Sequence, residues 1–424
     1  MAYNSIDSLS PIQGRNIIFW LIAILIITLY NLTPALNSFD TEYYILAGQN
    51  FLDGKIDCLR TPVYPLLCQA FIKMFGENGL NTAMTIFQSL IYLISLFSLI
   101  RIAELTIKNN KIRYIILFFY ILCVAPAWCN EILTESLCIS GCVIMTDLVL
   151  SYIRKPSIVK NIFLHLFLLF LVFLRPTFII FFAILPVIWL IHRTQLKYKT
   201  FSFVLTIACV LCFGAYCSAY KNVYGKFGTS SALVVNKIYD AQRGGYWDPS
   251  SVTDPESKKW IDFVDENYTG NYGFLYHAFM KHPESIALIS KGCDEIIQAH
   301  KQEWREYRIR LFASSCDKRM QAAVNTHTPL SSVLFLSSLF LSFPLSLFYL
   351  IIIFAAIALL VNIIIQKSIP IGHFLIIAVI FAYTVGIVLN ACDSHERLLL
   401  PVYPLFIVML GSAFEKATQF FRLN

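Results

Sequence analysis

Ten apolar runs, most of them separated by short basic or turn-forming loops, limit what this chain can fold into. They cover residues 17–32, 82–103, 112–127, 132–150, 161–174, 177–191, 201–220, 330–365, 369–390 and 398–414. A helix needs about 20 mostly apolar residues to cross a bilayer, and lipid offers no partner to an unpaired backbone amide. The pattern predicts an all-α polytopic membrane protein with about ten transmembrane helices. The run at 330–365 exceeds one crossing, and Pro344 divides it into an interfacial piece and a span. Composition agrees: 57% of residues are hydrophobic and 14% charged, against roughly 45–50% and about 25% in soluble domains. The net charge of +7 calls for no nucleic-acid partner, because most Lys and Arg outside residues 221–328 sit in short loops. Most of the 12 cysteines lie in apolar runs, where Cys behaves as a small hydrophobe. Cys209 and Cys212, mid-span, read as packing rather than metal or redox chemistry. The first run is too long for a cleavable leader and no small-residue cleavage site follows it.

Charge bias places the loops after the second, fourth, sixth, eighth and tenth runs, and both termini, in the cytoplasm. The opposite, outer face then receives residues 39–65, Glu131, Arg175, residues 221–328 and the Cys392-Asp393-Ser394-His395-Glu396-Arg397 loop. Three units follow: a bundle at 1–220 with its first outer loop at 35–81, a small, mainly helical extracytoplasmic domain at 221–328, and closing membrane helices at 329–424. Within the first outer loop, residues 41–52 predict a helix opening after Asp40 and closing at Asp53-Gly54, where glycine takes the left-handed cap. Residues 63–75 predict an amphipathic helix between Pro62 and Gly76, and both pieces read as interfacial helices. The outer domain predicts helices at 255–266, 283–299 and 302–324. No histidine or acid pair is expected at mid-depth along a span, which argues against an ion-coupled transporter, and Asp147 and Glu104 are expected solvated at inner helix ends.

Carboxylates and lone arginines thus gather on one face of the membrane. Asp40 reads as the N-cap of the 41–52 helix, as a reactive carboxylate, or as both. Glu42 would not share a helical face with it, but at a loop-to-helix junction both can enter one cavity. Arg60 is a cation on a proline-stiffened turn, suited to a phosphate or to a lipid headgroup. Glu131 and Glu135, one helical turn apart, either solvate a helix start or line a site. Arg175 either snorkels or reaches inward, and His395 with Arg397 forms either an interfacial anchor or an anion site. Cys293 and Cys316 share the outer domain and could pair in an oxidising compartment.

Four segments together resemble a known family. FDTEYYILAGQNFLDGK…LRTPVYPLL resembles the first outer loop of the GT-C superfamily of polyprenyl-phosphate-dependent glycosyltransferases, nearest the protein O-mannosyltransferase and lipid A aminoarabinose transferase branch. NEILTESL, NVYGKFGTSSALVVNKIYDAQRGGY and HERLLLPVYPLF resemble, in order, its second acidic motif, its entry to the outer domain and its closing arginine motif. One departure is that Thr41 separates Asp40 from Glu42, where the mannosyltransferase branch has adjacent acids. The resemblance implies a multi-pass enzyme of a bacterial inner membrane. It would move a sugar from a polyprenyl-phosphate donor to an envelope acceptor (glycan, lipid or protein) on the extracytoplasmic face. Asp40 would be the general base of an inverting displacement, and Arg60, Arg175 and Arg397 would hold the donor phosphate. Glu42, Glu131, Glu135 and His395 would assist the sugar, the acceptor or a metal. A divalent cation, Mg or Mn, is optional, with Asp40 and Glu42 as candidate ligands. Two rivals remain: an undecaprenyl-linked polysaccharide polymerase or ligase, and a lipid-linked-sugar flippase without transferase activity.

Overall fold

The computed structural model describes residues 17–31, 39–123, 126–191, 196–268, 270, 272–313, 353, 357, 370–390 and 398–423, and every regular element among them is helical. His395, Glu396, Arg397 and Cys316 lie outside the described residues, as does the 330–365 run apart from Ile353 and Ile357.

Helix α1 (Ile17–Asn31) leads to α2 (Phe39–Leu52), α3 (Val63–Phe75) and the long α4 (Glu77–Thr106). Gly54 ends α2 at φ 73°, and the amides of Gly54 and Lys55 reach back to the carbonyls of Phe51 and Asn50. This is the left-handed cap the sequence predicts, and it turns the chain sharply after the helix. Helix α2 packs tightly on α3 because Gly48 has no side chain: a Cβ there would lie 2.5 Å from the Pro65 carbonyl oxygen. Gln69 of α3 then donates to the Ile45 carbonyl of α2 at 2.8 Å.

Helices α5 (Asn110–Cys123), the short α6 (Pro126–Cys129) and α7 (Glu135–Arg154) follow, then α8 (Ile158–Leu174), α9 (Ile180–Ile191) and α10 (Leu196–Tyr224). Ser157 caps α8 by accepting from the Lys160 amide at 3.2 Å, so the helix starts earlier than the 161–174 run predicts. It stops at Leu174 because Arg175 precedes Pro176 and is held extended, at φ −150°. A 3-10 turn, Pro176–Ile179, enters α9. Three helical segments among the described residues are long and apolar enough to cross a membrane by length and composition: Glu77–Thr106, Glu135–Arg154 and Tyr198–Tyr224. Shorter apolar helices accompany them.

A polar segment folds into α11 (Ala232–Gly244), α12 (Pro255–Asn267), α13 (Tyr272–Lys281), α14 (Ser285–Ala299) and α15 (Lys301–Ala313). The sequence predicts α12 and α14 within two residues, and the described start of α15 within one. It misses α11 and α13, which follow no proline or charged cap of the kind that marks α12. The chain closes with α16 (Ile371–Asn390) and α17 (Tyr403–Leu423).

Among the described residues the buried apolar side chains form two clusters. The larger joins α1, α4, α5, α7, α8, α9, α16 and α17. The smaller gathers α11–α15 around Tyr220 and Tyr224 at the end of α10, and it also contains Tyr43, Cys58 and Leu59. The connection after α2 therefore belongs to the core of the polar segment, while α2 and α3 lean on the larger cluster through Tyr44, Tyr64 and Cys68.

Two expectations are corrected. His165 sits near the middle of α8, buried, with Nδ1 2.8 Å from the Asn161 carbonyl and Nε2 3.0 Å from Thr206 Oγ1. Asp147 is buried and meets Arg101 at 3.4 Å, as a buried carboxylate requires, and the partly buried Glu104 meets Arg113 at 3.7 Å, so neither simply faces solvent.

Candidate functional site

The site begins with one ion pair. Asp40 lies inside the first turn of α2, because the helix starts at Phe39 rather than after Asp40. Its Oδ1 accepts from Arg60 Nη2 at 2.7 Å. Both side chains are mostly but not fully covered, 21% and 16% exposed, so the pair faces an opening. Tyr44, one turn along α2, completes the cradle: the Arg60 guanidinium carbon lies 4.4 Å from its ring centre, and Nη1 is 3.4 Å from its hydroxyl.

A second pair stands beside it. Arg175 Nη2 donates to Thr134 Oγ1 at 2.8 Å and to Glu135 Oε1 at 3.0 Å. Glu135 is only 2% exposed, so it is no solvated helix start, and Arg175 points inward rather than snorkelling. Arg175 Nη1 has no hydrogen-bond partner among the described residues. Helix α7 starts at Glu135, three residues after the start of the 132–150 run, and Glu131 lies in the turn before it. The turn is fixed by Gln88 of α4, whose Nε2 donates to the carbonyls of Cys129 at 3.0 Å and Glu131 at 2.8 Å.

Two threonines fasten the pairs together. Thr41 Oγ1 donates to the Ile132 carbonyl at 3.2 Å, tying α2 to the α7 entry. Thr61 Oγ1 donates to the Leu174 carbonyl at 3.3 Å, tying the Arg60 turn to the end of α8, where Arg175 begins. Tyr44 registers the result. Burial raises the pKa of its phenol, and Arg60, Asp40, Glu135 and Arg175 all act on it electrostatically. Two carboxylates and two guanidiniums therefore share one neighbourhood.

Glu42 is exposed and faces away from Asp40, since a two-residue step on a helix turns the side chain by about 200°. Among the described residues no group of three or more His, Cys, Asp and Glu side chains could hold a metal ion. Asp40 is engaged by a guanidinium and Glu42 is turned away, so these two do not form a cation site by themselves.

Sequence reasoning missed Asp57. Its carboxylate is fully buried and accepts from the amides of Leu59 at 2.9 Å and Arg60 at 2.8 Å through Oδ1. Oδ2 takes the Tyr276 hydroxyl at 2.7 Å and Asn50 Nδ2 at 3.1 Å. The signal was present in Asp57-Cys58-Leu59-Arg60, an aspartate positioned to accept from the amides two and three residues on. Burial and the Asp57 charge push the Tyr276 phenol up, keeping it the donor in this bond. Burial likewise raises the Cys58 thiol well above its ordinary value, so it is no reactive thiolate. Cys293 is buried with a free thiol that burial pushes up to about 12, and Cys316 lies outside the described residues.

No protein-family model matches the chain, and no curated protein matches it. Solved structures do. The apo crystal structure of the Archaeoglobus fulgidus oligosaccharyltransferase matches with a TM-score of 0.52 at 11% identity, over 96% of this chain and 51% of that chain. Archaeal oligosaccharyltransferase AglB from Archaeoglobus fulgidus, solved with an inhibitory peptide and a dolichol-phosphate, matches at 0.48 and 12% identity, over 96% and 51%. The chain thus spans about half the length of these structures. At this identity the likeness is one of fold alone: the described residues are all-helical, in the fold of that oligosaccharyltransferase.

Proposed function

We propose that this chain is a glycosyltransferase that moves a sugar from a polyprenyl-phosphate donor to an envelope acceptor at the extracytoplasmic membrane surface. The observation that carries the reading is the Asp40–Arg60 pair held at 2.7 Å beside Arg175 and Glu135, on a fold shared with an oligosaccharyltransferase. Such a donor has its phosphate at headgroup level and its tail in the bilayer. Two neighbouring guanidiniums, one of them paired to a partly exposed carboxylate, suit it chemically.

In this mechanism Arg60 and Arg175 hold the donor phosphate. Arg175 offers Nη1 for a phosphate oxygen while Nη2 stays with Glu135 and Thr134. Arg60 is shared: in the structure it neutralises Asp40, and an arriving phosphate competes for it. Drawing the guanidinium toward the phosphate frees the carboxylate, and removing an opposite charge makes it a better base. The acceptor O–H then gives its proton to Asp40, and its oxygen forms the new bond to the anomeric carbon. The bond from that carbon to the phosphate oxygen breaks, its electron pair leaving with polyprenyl phosphate. One displacement inverts the anomeric centre. Arg397 and His395 are assigned to the same pocket by sequence alone, and Glu131 and Glu42 to the acceptor side.

The test pairs mass spectrometry of envelope glycans and lipids, with and without the gene, with a purified assay on polyprenyl-phosphate sugars. Transfer by the wild type and none by Asp40→Asn supports the reading. A folded Asp40→Asn variant with wild-type turnover overturns it and favours a polymerase or ligase. Lipid movement without glycosyl transfer favours a flippase.

A further inference from the structure

Arg60 is placed from both ends. Its guanidinium is referenced to α2 through Asp40 and Tyr44. Its backbone amide is referenced to Asp57, whose other oxygen is held by Tyr276 of α13 and Asn50 of α2. Asn50 Nδ2 also donates to the Tyr276 hydroxyl at 3.1 Å, closing a triangle between α2, the Arg60 turn and the polar segment. On the opposite side of the turn, the Cys58 carbonyl accepts from Tyr220 Oη at 2.8 Å and from the Ser231 amide at 2.7 Å. Among the described residues the four donors to Asp57 are all neutral groups. A wholly buried carboxylate is a costly way to fasten a loop unless its geometry is needed, and a phosphate ligand is useful only when fixed to about 0.5 Å.

We propose that Asp57 and Tyr276 are positioning residues for Arg60, which makes α13 of the polar segment a working part of the phosphate site. The inference rests on the reading of Arg60 as a phosphate ligand. Neither Asp57 nor Tyr276 touches substrate; they act by holding the Arg60 amide, and through it the start of the side chain that meets Asp40. Tyr276 also packs against Tyr43 of α2, ring centres 4.9 Å apart, so the contact between α13 and α2 is continuous beside the ion pair.

The test uses the full chain in lipid nanodiscs and two probes, undecaprenyl phosphate and undecaprenol, which differ only in the phosphate. Binding is read by native mass spectrometry for wild type, Arg60→Ala, Asp57→Asn and Tyr276→Phe, with a melting temperature for each. Tyr276→Phe keeps the ring and removes one hydrogen bond to a carboxylate, so undecaprenyl phosphate should bind about tenfold more weakly while undecaprenol is unaffected. Asp57→Asn should weaken the phosphate lipid at least as much; if it does not fold, Tyr276→Phe decides. Wild-type phosphate-lipid affinity in Tyr276→Phe with Arg60→Ala impaired overturns the positioning role and leaves the donor reading intact. Equal weakening of both lipids by Tyr276→Phe, with a lowered melting temperature, overturns it in favour of a purely structural bond. Wild-type affinity in Arg60→Ala overturns the phosphate reading of Arg60, and the positioning proposal with it.

Discussion

Each end of the α4–α7 pair carries two carboxylate–arginine pairs, yet the two ends differ in kind. At one end, Asp40–Arg60 and Glu135–Arg175 come from four chain segments and are joined by the Thr41 and Thr61 bonds to neighbouring carbonyls. At the other, about 18 Å along α7 from Glu135, Arg101–Asp147 and Arg113–Glu104 link helix to helix. Arg101 is 40% exposed, whereas Arg175 is 14% exposed. An ion pair in a membrane helix bundle is therefore not a site signal in itself. Convergence of pairs from helix starts and turns, fixed by side-chain-to-carbonyl bonds around a shared aromatic ring, is what separates the two ends.

The largest effect should come from chemistry at the first end alone. On the proposed reading of Asp40 as a general base, Asp40→Asn should lower glycosyl transfer by about 10²–10⁴-fold, the usual contribution of a positioned base, while Asp147→Asn keeps near-normal turnover. Equal losses from both, measured at matched folded protein, would erase the distinction. Next in size is stability. Glu135→Ala leaves Arg175 buried without its counter-ion and should cost about 3–5 kcal/mol, while Arg101→Ala removes a 40%-exposed side chain and opens Asp147 to water, and should cost less. Melting curves in detergent order these variants, and an Arg101→Ala as damaging as Glu135→Ala would show that burial does not set the difference. Thr61→Val comes third: losing one hydrogen bond to the Leu174 carbonyl should cost about 1 kcal/mol. It should also weaken transfer, since it releases the Arg60 turn from the Arg175 segment.

The apolar runs made the helices legible, because a 3.6-residue period and the bilayer leave few alternatives. Helix α3 starts at Val63 and ends at Phe75 as the sequence predicts, since Pro62 and Gly76 bound it. The residue types of the site were legible too: Asp40, Arg60, Glu135 and Arg175 stand together. Their pairing was not, because nothing local in NEILTES says that Glu135 will meet an arginine 40 residues later. The start of α7 was read three residues early, at Ile132 rather than Glu135. Asp57 was passed over because its partners come from α2, its own turn and α13, some 219 residues away in the chain. Asp147 and Glu104 were read as solvated because helix ends in a sequence do not announce which side chain from another helix pairs with them.

An exposed pair calibrates both ends, and its expected effect is the smallest. Asp254 caps α12 by accepting from the Ser257 amide at 3.0 Å and meets Lys291 of α14 at 2.8 Å. The Lys291 ammonium and the Ser257 donors together hold its carboxyl down to about 2 from the ordinary 3.8. A carboxylate depressed in the folded state adds stability above its unfolded value, and that contribution disappears as pH falls through the folded one. Any stabilisation from this pair should therefore be complete at pH 5 and lost between about pH 4 and about pH 2. The melting temperature of Asp254→Asn should approach that of the wild type as pH falls through that window, with the gap at pH 5 narrowed by salt because the pair is solvent-accessible. The Glu135–Arg175 contribution should be insensitive to salt, since no ions reach a carboxylate that is 2% exposed. A salt response of Glu135→Ala equal to that of Asp254→Asn would place the two pairs in the same class and remove burial as the reason the first end of the bundle is different.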